Sequence, residues 1–429
     1  MSSKRSNVRW GIAVLIGIGI VINYFDRTNI SVATKPLMSS YHLTKGEMGI
    51  LLSSFAWSYA LVQIPVGALL DQVGVKWLMR IGTLLWSLAT FLTAVVSGMG
   101  LIIFSRILLG IAEGPAFPGA SKATGYWFPI IERGRATSMF DAAAKLSNVI
   151  GVPIVAFAVT AWGWRGGFIL TGILSLLYFL AYWIWYRDPE ESKSINEAEL
   201  RYIREGGAQE EGEAPGGSMR NLGYLLGRRK VWGLTIGFAA YGYAFYLFLT
   251  WLPGYLETQM HMSVLKSSGF AIIPWVVATL TDLWIGGWLV DKLVASGRDG
   301  SRVRKTLLVI GMIFGLAVAG AAFTSHASVA IVWISIALGG LAFSAPIGWS
   351  IPALIAPKGT VGTVGSIMNF VNNIMGILAP IITGFIAGGT GSFALGFLVA
   401  AVVLLIGILS YVFLLGRIEP MECSQISRL

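Results

Sequence analysis

One cysteine, three histidines and few charges are all this 429-residue chain offers to most kinds of chemistry. The single cysteine, Cys423, excludes intramolecular disulfides, zinc clusters and thiol redox pairs. His42, His261 and His326 fall in segments read as outer loops, so no paired metal ligands arise, and no metal, cofactor or catalytic residue set is expected. A phosphate-binding Gly-x-x-x-x-Gly-Lys-Ser/Thr loop is missing, which removes an ATP-driven pump. No filter-like repeat supports a channel. Charged residues make up 12% of the chain, against about 25% in soluble domains. With 55% hydrophobic residues and a mean hydropathy of +0.72, the chain is a polytopic protein of the lipid bilayer.

What is present is a series of long apolar segments. Twelve spans are predicted, at about 10–35, 46–70, 77–97, 100–125, 136–160, 166–186, 231–256, 266–290, 306–324, 328–356, 361–387 and 392–415. The segment Met1 to Arg9 is short and basic, and the apolar run after it is too long for a signal-peptide core, so it reads as retained. Of the 31 Lys and Arg, only Lys35, Lys45, Arg165 and Lys266 fall in outer loops, and Arg27, Arg106 and Lys145 fall inside spans. The others gather on one side, which predicts that both termini are cytoplasmic. This distribution also accounts for the net charge of +10 without a nucleic-acid partner.

The fold class expected is all-α integral membrane, with two six-helix bundles. Residues 1–186 form the first, 187–230 a polar cytoplasmic linker, 231–416 the second and 417–429 a tail. The linker's composition cannot bury enough apolar surface to fold alone, although Ile195 to Glu205 is expected as a short surface helix. A weak repeat supports two halves. Gly67-Ala-Leu-Leu-Asp71-Gln-Val-Gly74-Val-Lys76 ends the second span, and Gly287-Trp-Leu-Val-Asp291 ends the eighth. Parallel halves of this kind suit alternating access.

Asn23-Tyr24-Phe25-Asp26-Arg27 places an acid and a base deep in the first span. Either charge at mid-membrane costs about 2.5–3.5 kcal/mol on insertion scales, so such residues persist where they face a polar cavity or each other. The readings are a substrate or proton site, or a structural ion pair. Arg106 and Glu113 lie seven residues apart, two turns, and so share a face of the fourth span.

The Gly-x-Leu-x-Asp pattern with its basic turn resembles the signature loop of the major facilitator superfamily, which implies a gating role for Gly67, Asp71, Gly74, Lys76 and Asp291. Three further stretches narrow the resemblance: Asn23 to Arg27, Phe55-Ala-Trp-Ser-Tyr59 through Pro65, and Arg106 through Glu113-Gly-Pro115 to Gly134. Together they resemble the anion:cation symporters, and within them the bacterial proton-coupled transporters of hexonates, aldarates and hexuronates. The resemblance implies a monomer in a cell inner membrane that carries a small organic anion with protons. It implies substrate binding by Arg27 and Arg106, and by Tyr24, Tyr59, Trp349 and Asn369, to which Asn372 and Asn373 add amides within one turn. For each neutral residue, ordinary helix packing is the competing reading. An aromatic acid such as phthalate, or a dicarboxylate such as tartrate, is the alternative substrate class.

Coupling is expected from Asp26 and Glu113. Desolvation and a neighbouring arginine pull a buried acid's proton affinity in opposite senses. Its proton occupancy therefore changes when a substrate carboxylate competes for that arginine. The chain departs from galactonate- and glucarate-type members at Ala144, where they carry glutamine, and places Lys145 next to it. Asp282 stands where a small neutral residue is expected. Counted from the span ends, Lys145 and Asp282 both lie roughly 14 Å deep. Lys145 therefore has three readings: an ion pair with Asp282 as part of the gate, an in-helix pair with Asp141, or a substrate ligand that favours a dianion.

Overall fold

A computed structural model describes residues 5–208, 222–357 and 361–421. Every regular element among them is helical. In chain order these are α1 (Val8–Val32), α2 (Thr34–Tyr41), α3 (Lys45–Val73), α4 (Val75–Val95), α5 (Met99–Glu113), α6 (Ala116–Trp127), α7 (Ile130–Trp185) and α8 (Glu197–Glu205). They continue with α9 (Leu222–Leu226), α10 (Arg229–Thr258), α11 (Val264–Thr281), α12 (Val290–Ala295), α13 (Gly300–Gly315), α14 (Val318–Ala321), α15 (Ala327–Ile355), α16 (Val361–Thr390) and α17 (Ala394–Leu409). π-helical turns over Asp282–Leu289 and Ser410–Leu414 carry α11 into α12 and extend α17.

Ten helical stretches among the described residues are long and apolar enough to cross a bilayer. One of them, inside α7, is two spans joined at Gly163, whose φ of +73° only glycine adopts without strain. Counting it twice and adding the 29-residue α3 gives the twelve expected. The fourth span is interrupted rather than continuous. Helix α5 stops at Glu113 and α6 resumes after Pro115, a residue that cannot donate a backbone hydrogen bond.

The chain divides into two compact units, one of Met1–Pro36 with Ser54–Ala214 and one of Leu37–Ser53 with Pro215–Leu429. The repeat seen faintly in the sequence recurs in backbone detail. His42 and His261 each take φ of +54°, just before Thr44 caps α3 and Ser263 caps α11. At Thr44 the cap is reciprocal, with Glu47 accepting from the Thr44 N–H at 2.8 Å. Gly163 and Gly391, both at φ +73°, turn the chain between the fifth and sixth and between the eleventh and twelfth spans.

Inside the first unit, close helix approach depends on small residues. Gly110 lies against the backbone of Phe55 and leaves no room for a Cβ, and the Ser58 hydroxyl donates to the Ile107 carbonyl at 2.7 Å. Gly151 is likewise covered by the Phe25 ring. These contacts draw α3 onto α5, and α1 onto α7, at the depth of the intramembrane charges.

Candidate functional site

In a helix, successive residues point about 100° apart, so the neighbours Asp26 and Arg27 cannot pair with each other. They face different helices. Arg27 turns toward α5, where its Nε donates to Glu113 Oε2 at 2.9 Å. Its guanidinium carbon lies 5.0 Å from the Tyr24 ring centre, 4.6 Å from Phe55 and 4.5 Å from Tyr59. Arg27 is 8% exposed and Glu113 fully buried, so the pair sits in an aromatic box. Cation–π contacts of this kind contribute about 0.5–2 kcal/mol each when desolvated.

Asp26 turns instead toward the sixth span, where the Ser175 hydroxyl donates to Oδ2 at 2.7 Å. One turn further along α1, the Asn29 amide donates to Thr171 at 2.9 Å. Arg106 reaches the same point of α1 from α5, but its Nη1 donates to the main-chain oxygen of Asp26 at 2.9 Å. Arg106 and Glu113 do share one face of α5, as their spacing requires. The salt bridge of Glu113, however, is to Arg27.

The fifth span closes this group. Lys145 Nζ donates to Asp141 Oδ2 at 2.7 Å, one turn back on its own helix. Lys145 is 5% exposed, whereas the Asp141 side chain is 31% exposed. Both lie within electrostatic range of the Tyr24 phenol, as does Arg27. Edge-on ring contacts run from Tyr24 to Phe117 and on to Phe140, each at 6.2 Å. The arrangement can therefore offer two buried cations, each held by an internal carboxylate, with the Tyr24 ring beside the first of them.

The second unit brings together the amides expected there. Asn372 and Asn373 are buried on α16, and Tyr246 of α10 donates to Asn373 Oδ1 at 3.1 Å. Gly242 allows the Asn372 amide to approach α10. Asn369 is half-buried on the same helix. Trp349 is 44% exposed and stands edge-on to Phe238 at 5.2 Å. Asp282 is buried at the first π-helical residue. The pair with Lys145, one of the three readings of that lysine, would need residues of the two separate units.

Of the expected gating residues, Gly74 takes φ of +79° as the N-cap of α4, and Lys76 pairs with Glu191 at 2.6 Å. Gly67 and Asp71 lie on α3 and Asp291 on α12, and the surroundings of all three fall outside what is described. Cys423 falls there too. Ser175, Phe55 and Phe117 emerge as site neighbours that the sequence reading did not select. A serine or phenylalanine in a span carries no signal of its own.

A Major Facilitator Superfamily model matches residues 16–380. The chain belongs to this superfamily. Members similar to it along nearly their whole length include the uncharacterized transporter YybO of Bacillus subtilis, 44% identical over 98% of both chains. The D-galactonate transporter of Escherichia coli is 32% identical over 97% of this chain and 98% of its own. The probable galactarate/D-glucarate transporter GudP of Escherichia coli is 33% identical over 99% and 97%. Among solved structures, an inward-facing bacterial homolog of the human lysosomal transporter Spinster has the same superfamily fold. Its TM-score is 0.75 at 17% identity, over 95% of this chain and 97% of that one. With its superfamily relatives named as transporters, this chain is a multi-pass membrane transporter and not an enzyme.

Proposed function

We propose that the chain is a proton-coupled symporter of a sugar acid, a hexonate, aldarate or hexuronate, working as a monomer in a cell inner membrane with both termini cytoplasmic. The Arg27–Glu113 pair in its aromatic box carries the reading. A guanidinium can hold a carboxylate through two parallel hydrogen bonds, so a substrate carboxylate can take over Arg27 from Glu113. Glu113, released, then takes up a proton, because a buried carboxylate left without a cation is costly to keep charged. Asp26 serves as the second proton site and Arg106 holds the main chain of α1 between the two. In the first unit the Tyr24 and Tyr59 hydroxyls suit sugar hydroxyls, and in the second unit the Asn369, Asn372 and Asn373 amides do.

Uptake into proteoliposomes under an inward proton gradient tests this directly, across hexonates, hexuronates and aldarates with phthalate and succinate as controls. One sugar acid is expected to accumulate, and dissipating the gradient is expected to stop it. Accumulation of the controls alone would overturn the sugar-acid assignment.

Lys145 acts in this reading as a second cation for the far end of the substrate. Lys145→Met is accordingly expected to raise KM on the order of tenfold for an aldarate, and twofold or less for the matching hexonate. Equal losses for both would return Lys145 to a structural pair, with Asp141 or with Asp282.

A further inference from the structure

The stretch after the sixth span folds back onto the start of the chain. Asn196 caps α8, its side chain accepting from the Glu199 N–H at 2.9 Å, and Ile203 is buried in the core that holds Trp127 and Phe128. Gly206 packs against Pro129, just before α7 begins. This docking buries the Glu199 carboxylate completely.

Its acceptors are all used within the first unit. Glu199 Oε2 accepts from the Ser6 hydroxyl at 2.5 Å and the Val8 N–H at 3.1 Å, and Oε1 from the Arg9 N–H at 3.3 Å and Arg9 Nη1 at 2.6 Å. The first N–H groups of a helix have no partner inside it. The local N-cap of α1, Asn7, makes no side-chain cap bond. The carboxylate that caps α1 therefore comes from about 190 residues away, and a negative charge there also suits the helix dipole.

Arg9 extends the tie to α7. Its Nε and Nη2 donate to Glu132 at 2.8 and 3.4 Å, and the Tyr202 hydroxyl donates to the same carboxylate at 2.9 Å. Burial pushes the Glu132 carboxyl up, but the hydrogen bonds from Arg9 and Tyr202 outweigh it and hold the group below its usual range. Glu132 is thus charged at neutral pH, and its contribution to stability is lost only as pH falls through and below the usual glutamate value of about 4.

We propose that Glu199 is a positioning residue for the transport site: α8 is a strap that fixes α1 against α7, so that Tyr24, Asp26 and Arg27 move with Asp141 and Lys145 as one body. The segment from Asn196 to Gly206 then belongs to the first bundle and is no passive linker. The consequence for transport rests on Arg27 binding substrate, as proposed above, whereas the mechanical claim does not.

The experiment pairs a distance with a kinetic readout in the full chain carrying Cys423→Ser. Spin labels at Gly11→Cys and Arg201→Cys, both exposed, report the register of α1 against α8. The parent is expected to give one narrow distance and Glu199→Ala a broad one, with KM for the transported sugar acid raised on the order of tenfold. Adding Asn7→Asp supplies a cap within α1 itself. It is expected to restore thermal stability and to leave KM raised, because it does not reconnect α1 to α8 or α7. A narrow distance in Glu199→Ala, an unchanged KM, or a KM restored by Asn7→Asp would each overturn the proposal. Should Glu199→Ala fail to fold, Glu199→Gln keeps one of the two acceptor oxygens, turns the other into a donor and removes the charge, and a smaller rise in KM with a broadened distance is expected. If the parent takes up no sugar acid, the functional reading fails, and the distance alone decides whether α8 fixes α1.

Discussion

Arg27→Lys is expected to lower sugar-acid uptake on the order of a hundredfold while the protein still folds and reconstitutes. Lysine keeps the charge near Glu113, so the buried carboxylate is not left without a cation. What it loses is geometry. Three rings surround the guanidinium at 4.5 to 5.0 Å, and a flat, weakly hydrated cation fits such a box better than a compact ammonium does. Two parallel bonds to a carboxylate also become impossible. A loss of about 3 kcal/mol, within the range for truncating a buried charged contact, corresponds to that hundredfold. Arg27→Ala goes further and strands Glu113, which costs about 3–5 kcal/mol of stability in buried pairs. Uptake measured beside the melting temperature separates the two variants. Near-normal uptake by Arg27→Lys would remove Arg27 from the binding site.

How far this site could be read beforehand follows from what a single helix reveals. Charges inside a span are rare enough to select Asp26, Arg27, Arg106, Glu113 and Lys145 without a structure, and helical periodicity set their faces. Periodicity does not say which helix each face meets. Arg106 and Glu113 share a face of α5, yet it is Arg27 that bonds Glu113, because Gly110 lets α3 close in and the aromatic box forms around α1. Ser175 was not legible, since one serine in an apolar span looks like any other. Glu199 was hidden for the opposite reason: in a stretch full of glutamates, a carboxylate reads as solvated until the fold buries it beneath the start of α1. The spans themselves followed from hydropathy, and the break read between the fifth and sixth falls at the turn the chain makes at Gly163.

Glu113→Gln is expected to abolish uphill accumulation and to leave exchange of labelled for unlabelled substrate measurable. Glutamine fills the same volume and its oxygen can still accept from Arg27 Nε, so the box around the guanidinium survives. It cannot gain or lose a proton. Arg27 is then held by a neutral group that a substrate carboxylate displaces easily, and binding is expected to tighten or stay level. The link between substrate occupancy and protonation is nonetheless gone. Asp26 faces Ser175 rather than an arginine side chain, so a substrate at Arg27 has no comparable direct hold on its proton. The two assays use the same proteoliposomes, one under an imposed proton gradient and one without. Loss of both would make Glu113 part of the binding site itself. Full accumulation by the mutant would move the coupling to Asp26 and leave Glu113 as the structural partner of Arg27.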